Sequence, residues 1–412
     1  MLNEATRQFI REHRWDDVQR LALQFKPAKD SAIDRLAALT QIAGRQAIVH
    51  KIPSWYEQEG IVYPARLSLE QCSSEATARY KASLLSGNSF TDLTGGFGVD
   101  TAFIAPQFAQ AHYVERQAEL VAIARNNFAV LGLNHIQTHP ADGIAFLKTM
   151  QAVDCLYLDP ARRSATGKKM ICIEDAEPNI LVILDKLLAK AENVVIKLSP
   201  LLDIFMALKA LKNVKQIHIV SVDNECKEAL FLLRNDFSGE PAITGVNINK
   251  QAVQSNTFTL SEEKNACISY TSDLKEYLYE PNRSLLKSGC YKSISLRYGV
   301  DKLHPDSHLY TSSCYRPDFP GRIFQIEAVS SFNKNDLKAL LHNIRQAHIT
   351  VRNFPLSVDR LRKQLKIKEG GEIYLFATTR ANGRRVLLKG RCAQPPYSSG
   401  NSEGISSIIP SR

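Results

Sequence analysis

The sequence predicts an α/β protein whose middle third is a doubly wound, mostly parallel sheet. Three observations carry that expectation. Between residues 89 and 235, short apolar runs alternate with helical patterns, which gives parallel strands joined by crossover helices. The first run ends in a glycine turn, Gly95-Gly96-Phe97-Gly98, placed where open sheets bind ligands. The last two runs, 216–222 and 228–233, are only a short turn apart. A parallel crossover needs about a dozen residues, so this final pair is expected to be antiparallel.

Taken in order, residues 1–85 read as a helical domain. Phe9, Ile10, Val18, Leu21 and Leu23 recur at mixed three-to-four spacing, and 31–49 continues the pattern. Pro53 and Pro64 interrupt it. Residues 74–85 form a helix with Ser73 or Ser74 as N-cap. The α/β domain spans 86–236, with strands near 90–93, 111–114, 135–138, 154–158, 193–197 and 216–222. Its clearest helices are 117–131 and 178–191. Residues 237–322 are rich in Ser, Asn, Thr and Tyr and read as a small α+β domain, with strand-like pieces at 242–248 and 291–298. Residues 323–393 carry a helix at 334–346, a strand at 349–351, a helix at 357–365 and strands at 372–379 and 384–389. The Pro/Ser/Gly-rich tail, 394–412, is expected to be disordered.

Composition narrows the class. At 44% hydrophobic and 23% charged, the chain of 412 residues reads as soluble and globular. No run approaches the ~18 apolar residues of a membrane span, and the charged start has no signal core. Eight cysteines are scattered without a C-x-x-C pair, so no metal site is indicated, and free thiols in a cytoplasmic protein are expected. The net charge of +10 is uneven. Residues 321–412 hold 16 Lys/Arg against 6 Asp/Glu, and the rest of the chain balances. A basic terminal module suits a polyanion such as nucleic acid. A merely solvated surface is the alternative.

The segment Phe90-Thr-Asp92-Leu-Thr94-Gly95-Gly96-Phe-Gly98-Val-Asp100 is a strand, a glycine turn and a helix start. A dinucleotide site wants G-x-G-x-x-G and a pyrophosphate on the helix N-terminus. Here the third glycine spacing fails, and Asp92 would repel a pyrophosphate. That carboxylate suits the cationic amino-acid end of S-adenosylmethionine. Glu115 ends the second strand, 23 residues after Asp92, where a carboxylate can accept ribose hydroxyls. Asp142 follows the third strand and can accept from an adenine amino group. Asp159-Pro160-Ala161-Arg162 ends the fourth. Each carboxylate alone would be an ordinary surface residue; together they line the carboxyl ends of successive strands.

With Tyr113-Val-Glu115-Arg-Gln117 and Asp159-Pro160-Ala161-Arg162-Arg163, the turn resembles class I, Rossmann-like methyltransferases that act on RNA. In particular it resembles a bacterial family with a ferredoxin-like insert and a THUMP-like carboxyl-terminal domain. Residues 67–78 are similar to that family's helix before the α/β domain. The resemblance implies S-adenosylmethionine as cofactor, with Asp92, Thr94, Gly95, Gly96, Gly98, Glu115 and Asp142 binding it. It implies Asp159, Pro160 and Arg162 at the methyl-transfer site; tRNA or rRNA is the substrate expected from the cofactor motifs, the basic loop and the basic terminal module together. Methylases of exocyclic amines carry Asp/Asn-Pro-Pro-aromatic at this strand end. Asp159 and Pro160 match, while Ala161 and Arg162 depart. Arg162 can stack on a base or hold a phosphate. Uridine C5 methylation needs a cysteine after the fifth strand, where this chain has Lys197-Leu-Ser-Pro200, so N-methylation is preferred. Lys197 itself would bind phosphate or cap the strand edge. The basic loop Arg162, Arg163, Lys168 and Lys169 is a candidate substrate grip. A methyltransferase for a protein or small molecule, and a noncatalytic RNA-binding protein, are the competing readings.

Overall fold

The computed structural model describes residues 3–24, 32–162 and 173–393. Six helices precede the first strand: α1 (Glu4–Glu12), α2 (Val18–Gln24), α3 (Arg35–Ile48), α4 (Pro53–Tyr56), α5 (Arg66–Gln71) and α6 (Glu75–Ser83). Asn3, Asp34 and Ser74 start α1, α3 and α6, each side chain accepting from a backbone amide three residues on. Of the two cap candidates for α6, Ser74 is the cap, which leaves Ser73 free for another role. These helices are not a domain of their own ending at residue 85. Trp55, Tyr63, Leu69 and Ala78 share one apolar core with Phe90, Phe97, Phe108 and Tyr113.

The sheet strands are β1 (Gly87–Asp92), β2 (Phe108–Glu115), β3 (Ile136–Pro140), β4 (Val153–Leu158), β5 (Ala191–Leu198), β6 (Val214–Val222), β7 (Glu225–Arg234), β8 (Ala242–Ile248) and β9 (Val253–Phe258). Between them run α7 (Val99–Ile104), α8 (Ala118–Val130), α9 (Gly143–Thr149), α10 (Ile180–Lys190) and α11 (Ile204–Ala210). The order is β9-β8-β6-β7-β5-β4-β1-β2-β3. Strands β1 to β5 pair in parallel, and β7 runs antiparallel between β5 and β6, as the short 222–228 turn requires. The sheet does not stop at residue 236. Strand β8 pairs with β6 along its whole length, burying Ile243 and Val246, and β9 completes the edge.

Two further helices follow, α12 (Leu260–Asn265) and α13 (Arg283–Ser288). Helix α13 returns to the first compact unit, residues 1–260 with 283–288. Gly245 lets it approach: a Cβ there would lie 2.6 Å from the Leu285 side chain.

The second unit comprises residues 261–282 and 289–412. Its strands are β10 (Tyr277–Pro281), β11 (Asp301–Lys302), β12 (Tyr310–Ser312), β13 (Gly321–Ser330), β14 (His348–Arg352), β15 (Tyr374–Thr379) and β16 (Arg385–Cys392), ordered β11-β12-β10-β13-β16-β15-β14. Helices α14 (Ser293–Tyr298), α15 (Lys334–Leu340) and α16 (Val358–Leu365) complete it. The stretch 291–298 is therefore helical, not a strand. Strand β10 pairs with β13, so the segments expected to divide at 322 share one sheet. Alternation along β15 separates two cores: Leu375 and Ala377 pack with Leu361, while Phe376 packs with Leu278 and Phe324. The expected disordered tail, 394–412, lies outside the described residues.

Candidate active site

Strand β1 ends in Asp92, which is 1% exposed. Its Oδ1 accepts from Thr94 N at 2.9 Å and its Oδ2 from Thr101 Oγ1 at 2.6 Å. The carboxyl thus braces the glycine turn from beneath instead of facing a ligand directly. Burial pushes it up to about 7, against the pull of the Thr101 and Thr94 hydrogen bonds. Gly96 (φ +54°) and Gly98 (φ +85°) take left-handed backbone, and a Cβ on Gly95 would stand 2.2 Å from the Tyr113 ring. Gly96 N donates to Glu115 Oε2 at 3.0 Å and Gln117 N to Oε1 at 2.9 Å. A carboxylate offers about four lone-pair sites, so half-buried Glu115 keeps acceptor capacity for two hydroxyls. Asp142 is exposed and caps α9, its Oδ1 accepting from Ile144 N and Ala145 N. Sequence reasoning missed Gly143, where a Cβ would lie 2.2 Å from Leu93 O. That glycine lets α9 start against the exit of β1. The glycine backbone, Glu115 and Asp142 thereby gather around one turn, and this set fits an adenosyl group with a hydroxylated ribose.

The end of β4 joins the same turn. Asp159 N donates to Thr94 Oγ1 at 2.7 Å, so the threonine hydroxyl ties the two strand ends together. Pro160 is buried. Ala161–Arg162 forms a short ladder with Ala176–Glu177. The side chain of Arg162 and the loop bearing Arg163, Lys168, Lys169 and Cys172 lie outside the described residues.

Lys197 neither reaches out to a phosphate nor caps the strand edge. It turns inward, its Nζ donating to Asp159 Oδ2 and, at 3.4 Å, to Ser73 Oγ, with Asp100 Oδ2 3.8 Å away. Behind it lies a charge network that sequence reasoning did not find. Lys81 donates to both Glu228 oxygens, at 2.8 and 2.7 Å, and to Ser73 Oγ at 3.1 Å. Asp100 Oδ1 stands 3.1 Å from the same ammonium as a charge contact. Asp100 Oδ2 accepts from Ser73 Oγ at 2.8 Å and Tyr157 OH at 2.7 Å. Burial would raise Asp100, but Lys81 and Lys197 hold it below the usual carboxylate range. Glu228 is raised, chiefly by burial. Burial would lower Lys197, but Asp159, Asp100 and Glu228 raise it instead. Two signals pointed here: Asp100 closes the glycine motif, and Ser73 was the spare cap candidate. No thiol in the described residues is activated near this network. Cys72 Sγ donates to Leu69 O at 3.2 Å and burial pushes it up, and burial pushes Cys155 up to about 12.

Comparison with known proteins follows this geometry. A ferredoxin-like domain family matches residues 277–320, and a THUMP domain-like family matches 321–391. The crystal structure of a candidate methyltransferase from Porphyromonas gingivalis W83 is 34% identical. It covers 96% of this chain and 100% of its own, with a TM-score of 0.85. The chain belongs to that methyltransferase family. Two further relatives, from Mycobacterium tuberculosis strains CDC 1551 and H37Rv, are named uncharacterised S-adenosylmethionine-dependent methyltransferases. Each is 24% identical over 303 residues, covering 73% of this chain and 80% of the relative. No helix of the described residues in this methyltransferase family member is long and apolar enough to cross a membrane.

Proposed function

We propose that the protein is an S-adenosylmethionine-dependent methyltransferase that methylates a nitrogen of an RNA base, in tRNA or rRNA, in the cytoplasm. The observation that carries this is the Thr94 bridge, which ties the glycine turn to the Asp159 backbone at the end of β4. The backbone of Gly95, Gly96 and Gly98 would receive the cofactor, Glu115 its ribose hydroxyls and Asp142 its adenine amino group. Asp92 acts through the turn it braces. When bound, the cofactor supplies a methyl group on a positively charged sulfur. The substrate nitrogen's lone pair would form the new bond to that methyl group, and sulfur would keep the electrons of the bond that breaks. The nitrogen then gives its proton to Asp159, and water receives it from there. Pro160 stiffens the backbone behind that carboxylate, and Arg162 is proposed to stack on the base or hold a phosphate. The fifth strand ends at Leu198 and is followed by Ser199-Pro200, without the cysteine that C5 chemistry needs, and this supports N-methylation.

RNA docking is assigned to the basic carboxyl-terminal module. Arg360, Lys363, Lys366, Lys368, Arg384 and Arg385 are exposed there. Arg362 is spent elsewhere, on Glu369 and Ala347 O. The test is transfer of a labelled methyl group to RNA from a strain lacking the gene, followed by mapping of the modified nucleotide. Wild type should label one position. Asp159→Ala should not, while binding S-adenosylhomocysteine with nearly unchanged affinity. Wild-type turnover in Asp159→Ala would remove the proposed role, and label in a protein fraction alone would remove RNA.

A further inference from the structure

One oxygen of the proposed proton acceptor is already taken. Lys197 Nζ donates to Asp159 Oδ2, while the Asp159 backbone is tied to Thr94. Lys197 is itself held on its other sides, by Ser73 Oγ at 3.4 Å and Asp100 Oδ2 at 3.8 Å, and its side chain is 13% exposed. A long, flexible side chain is thereby confined to one pose, and it confines the carboxylate in turn.

We infer that Lys197 is a positioning residue that holds Asp159 by Oδ2, leaves Oδ1 as the acceptor among the described residues, and sets the charge of the site to favour an uncharged nitrogen nucleophile. The inference rests on the reading of Asp159 given above. The charge follows from the groups that converge here. Asp159 from the end of β4, Asp100 from α7 and Glu228 from β7 supply three carboxylates. Lys197 from β5 and Lys81 from α6 supply two ammonium groups. Tyr157 from β4, Ser73 and Cys72 ahead of α6, and Asp92 beneath the turn complete the surroundings. These five groups are three acids and two bases, so one acid has no base of its own. A neutral nitrogen becomes cationic as it takes the methyl group, and the surplus acid beside it favours that change. An anionic oxygen or sulfur nucleophile would be repelled on approach and would lose its charge in the reaction. Without the Lys197 ammonium, the three acids would share only Lys81.

The test compares Lys197→Met and Lys197→Arg with wild type. The protein is labelled with 13C at aspartate carboxyls and titrated by NMR, and methyl transfer to RNA from the deletion strain is followed against pH. In Lys197→Met the carboxyl signals of the site should titrate about one to three pH units higher than in wild type, because an adjacent cation is lost. The acid limb of the rate profile should move the same way. Lys197→Arg should restore both, and affinity for S-adenosylhomocysteine should stay within about threefold throughout. Unchanged carboxyl titration in Lys197→Met would overturn the inference. So would an equal fall in melting temperature and cofactor affinity in both variants, which would make Lys197 a purely structural cation. If the titration shifts but wild type labels no RNA, the positioning role stands and the RNA reading falls.

Discussion

Gly95 and Gly96 are adjacent, yet the same substitution should damage different properties. A methyl on Gly95 meets the Tyr113 ring at 2.2 Å, so Gly95→Ala should lose stability, by about 1–3 kcal/mol as overpacking does. Gly96 has only Thr94 O nearby, at 3.8 Å. Gly96→Ala should keep most of its stability, apart from a left-handed penalty of roughly 1–2 kcal/mol, and lose S-adenosylhomocysteine affinity by about tenfold or more. Calorimetry and thermal melts on both variants separate the effects; identical behaviour would refute this division. Asp92 gives a pH signature. Its folded value, about 7 through burial, lies above the ordinary value of roughly 4. Folding therefore takes up a proton between these limits. Stability from this group is fully present below about pH 4 and falls as pH rises towards 7. Asp92→Asn should gain on wild type across that window, by a few kcal/mol at order of magnitude. A urea-midpoint difference that does not change between pH 4.5 and 7.5 would rule this out. Asp92, Glu115 and Asp159 were legible because each ends a strand at a fixed distance from a glycine turn. That Asp92 points under the turn was not legible, since orientation depends on Thr101 as well as on spacing.

Between elements, the decisive contact is Lys81 of α6 with Glu228 of β7, 147 positions apart. No local pattern marks such a pair, and each residue alone reads as a surface charge. Breaking a buried pair from one side strands the other charge, which costs about 3–5 kcal/mol. Lys81→Met should lose that much stability in urea. Glu228→Leu added to it should recover part of the loss, as double-mutant coupling requires; strict additivity would show that the two do not act as a pair. Helix α14 repeats the lesson. Ile294, Leu296 and Tyr298 alternate as in a strand, and that alternation predicts one. The structure makes a helix because Glu263 accepts from the amides of Tyr291, Lys292 and Ser293 at 3.1, 2.7 and 2.9 Å. A cap delivered from thirty residues away overrides local alternation. The central parallel strands, by contrast, were legible, because burial on both faces writes itself into the runs 155–158 of β4 and 194–196 of β5.

At the scale of the whole molecule, the charge excess of the last 92 residues is partly spent internally. Lys389 and Arg391 pair with Glu327, as Arg362 does with Glu369. The exposed basic face is smaller than the count implies. Reversing Arg360, Lys363, Lys366 and Lys368 to Glu should lower RNA affinity and flatten the slope of log affinity against log salt. Each lost phosphate contact accounts for about 0.7–0.9. Reversing Arg362 alone should mainly cost stability. An unchanged slope in the fourfold variant would make the face a solvated surface. The excursion of α13 bears on time as well as on space. The nine-stranded sheet is fully synthesised at Phe258, but the helix that packs on β6 and β8 begins at Arg283. At roughly 5–20 residues per second, the ribosome leaves that apolar face uncovered for about one to five seconds. A nascent chain of this protein therefore passes through an interval in which the surface around Gly245 has no cover from α13.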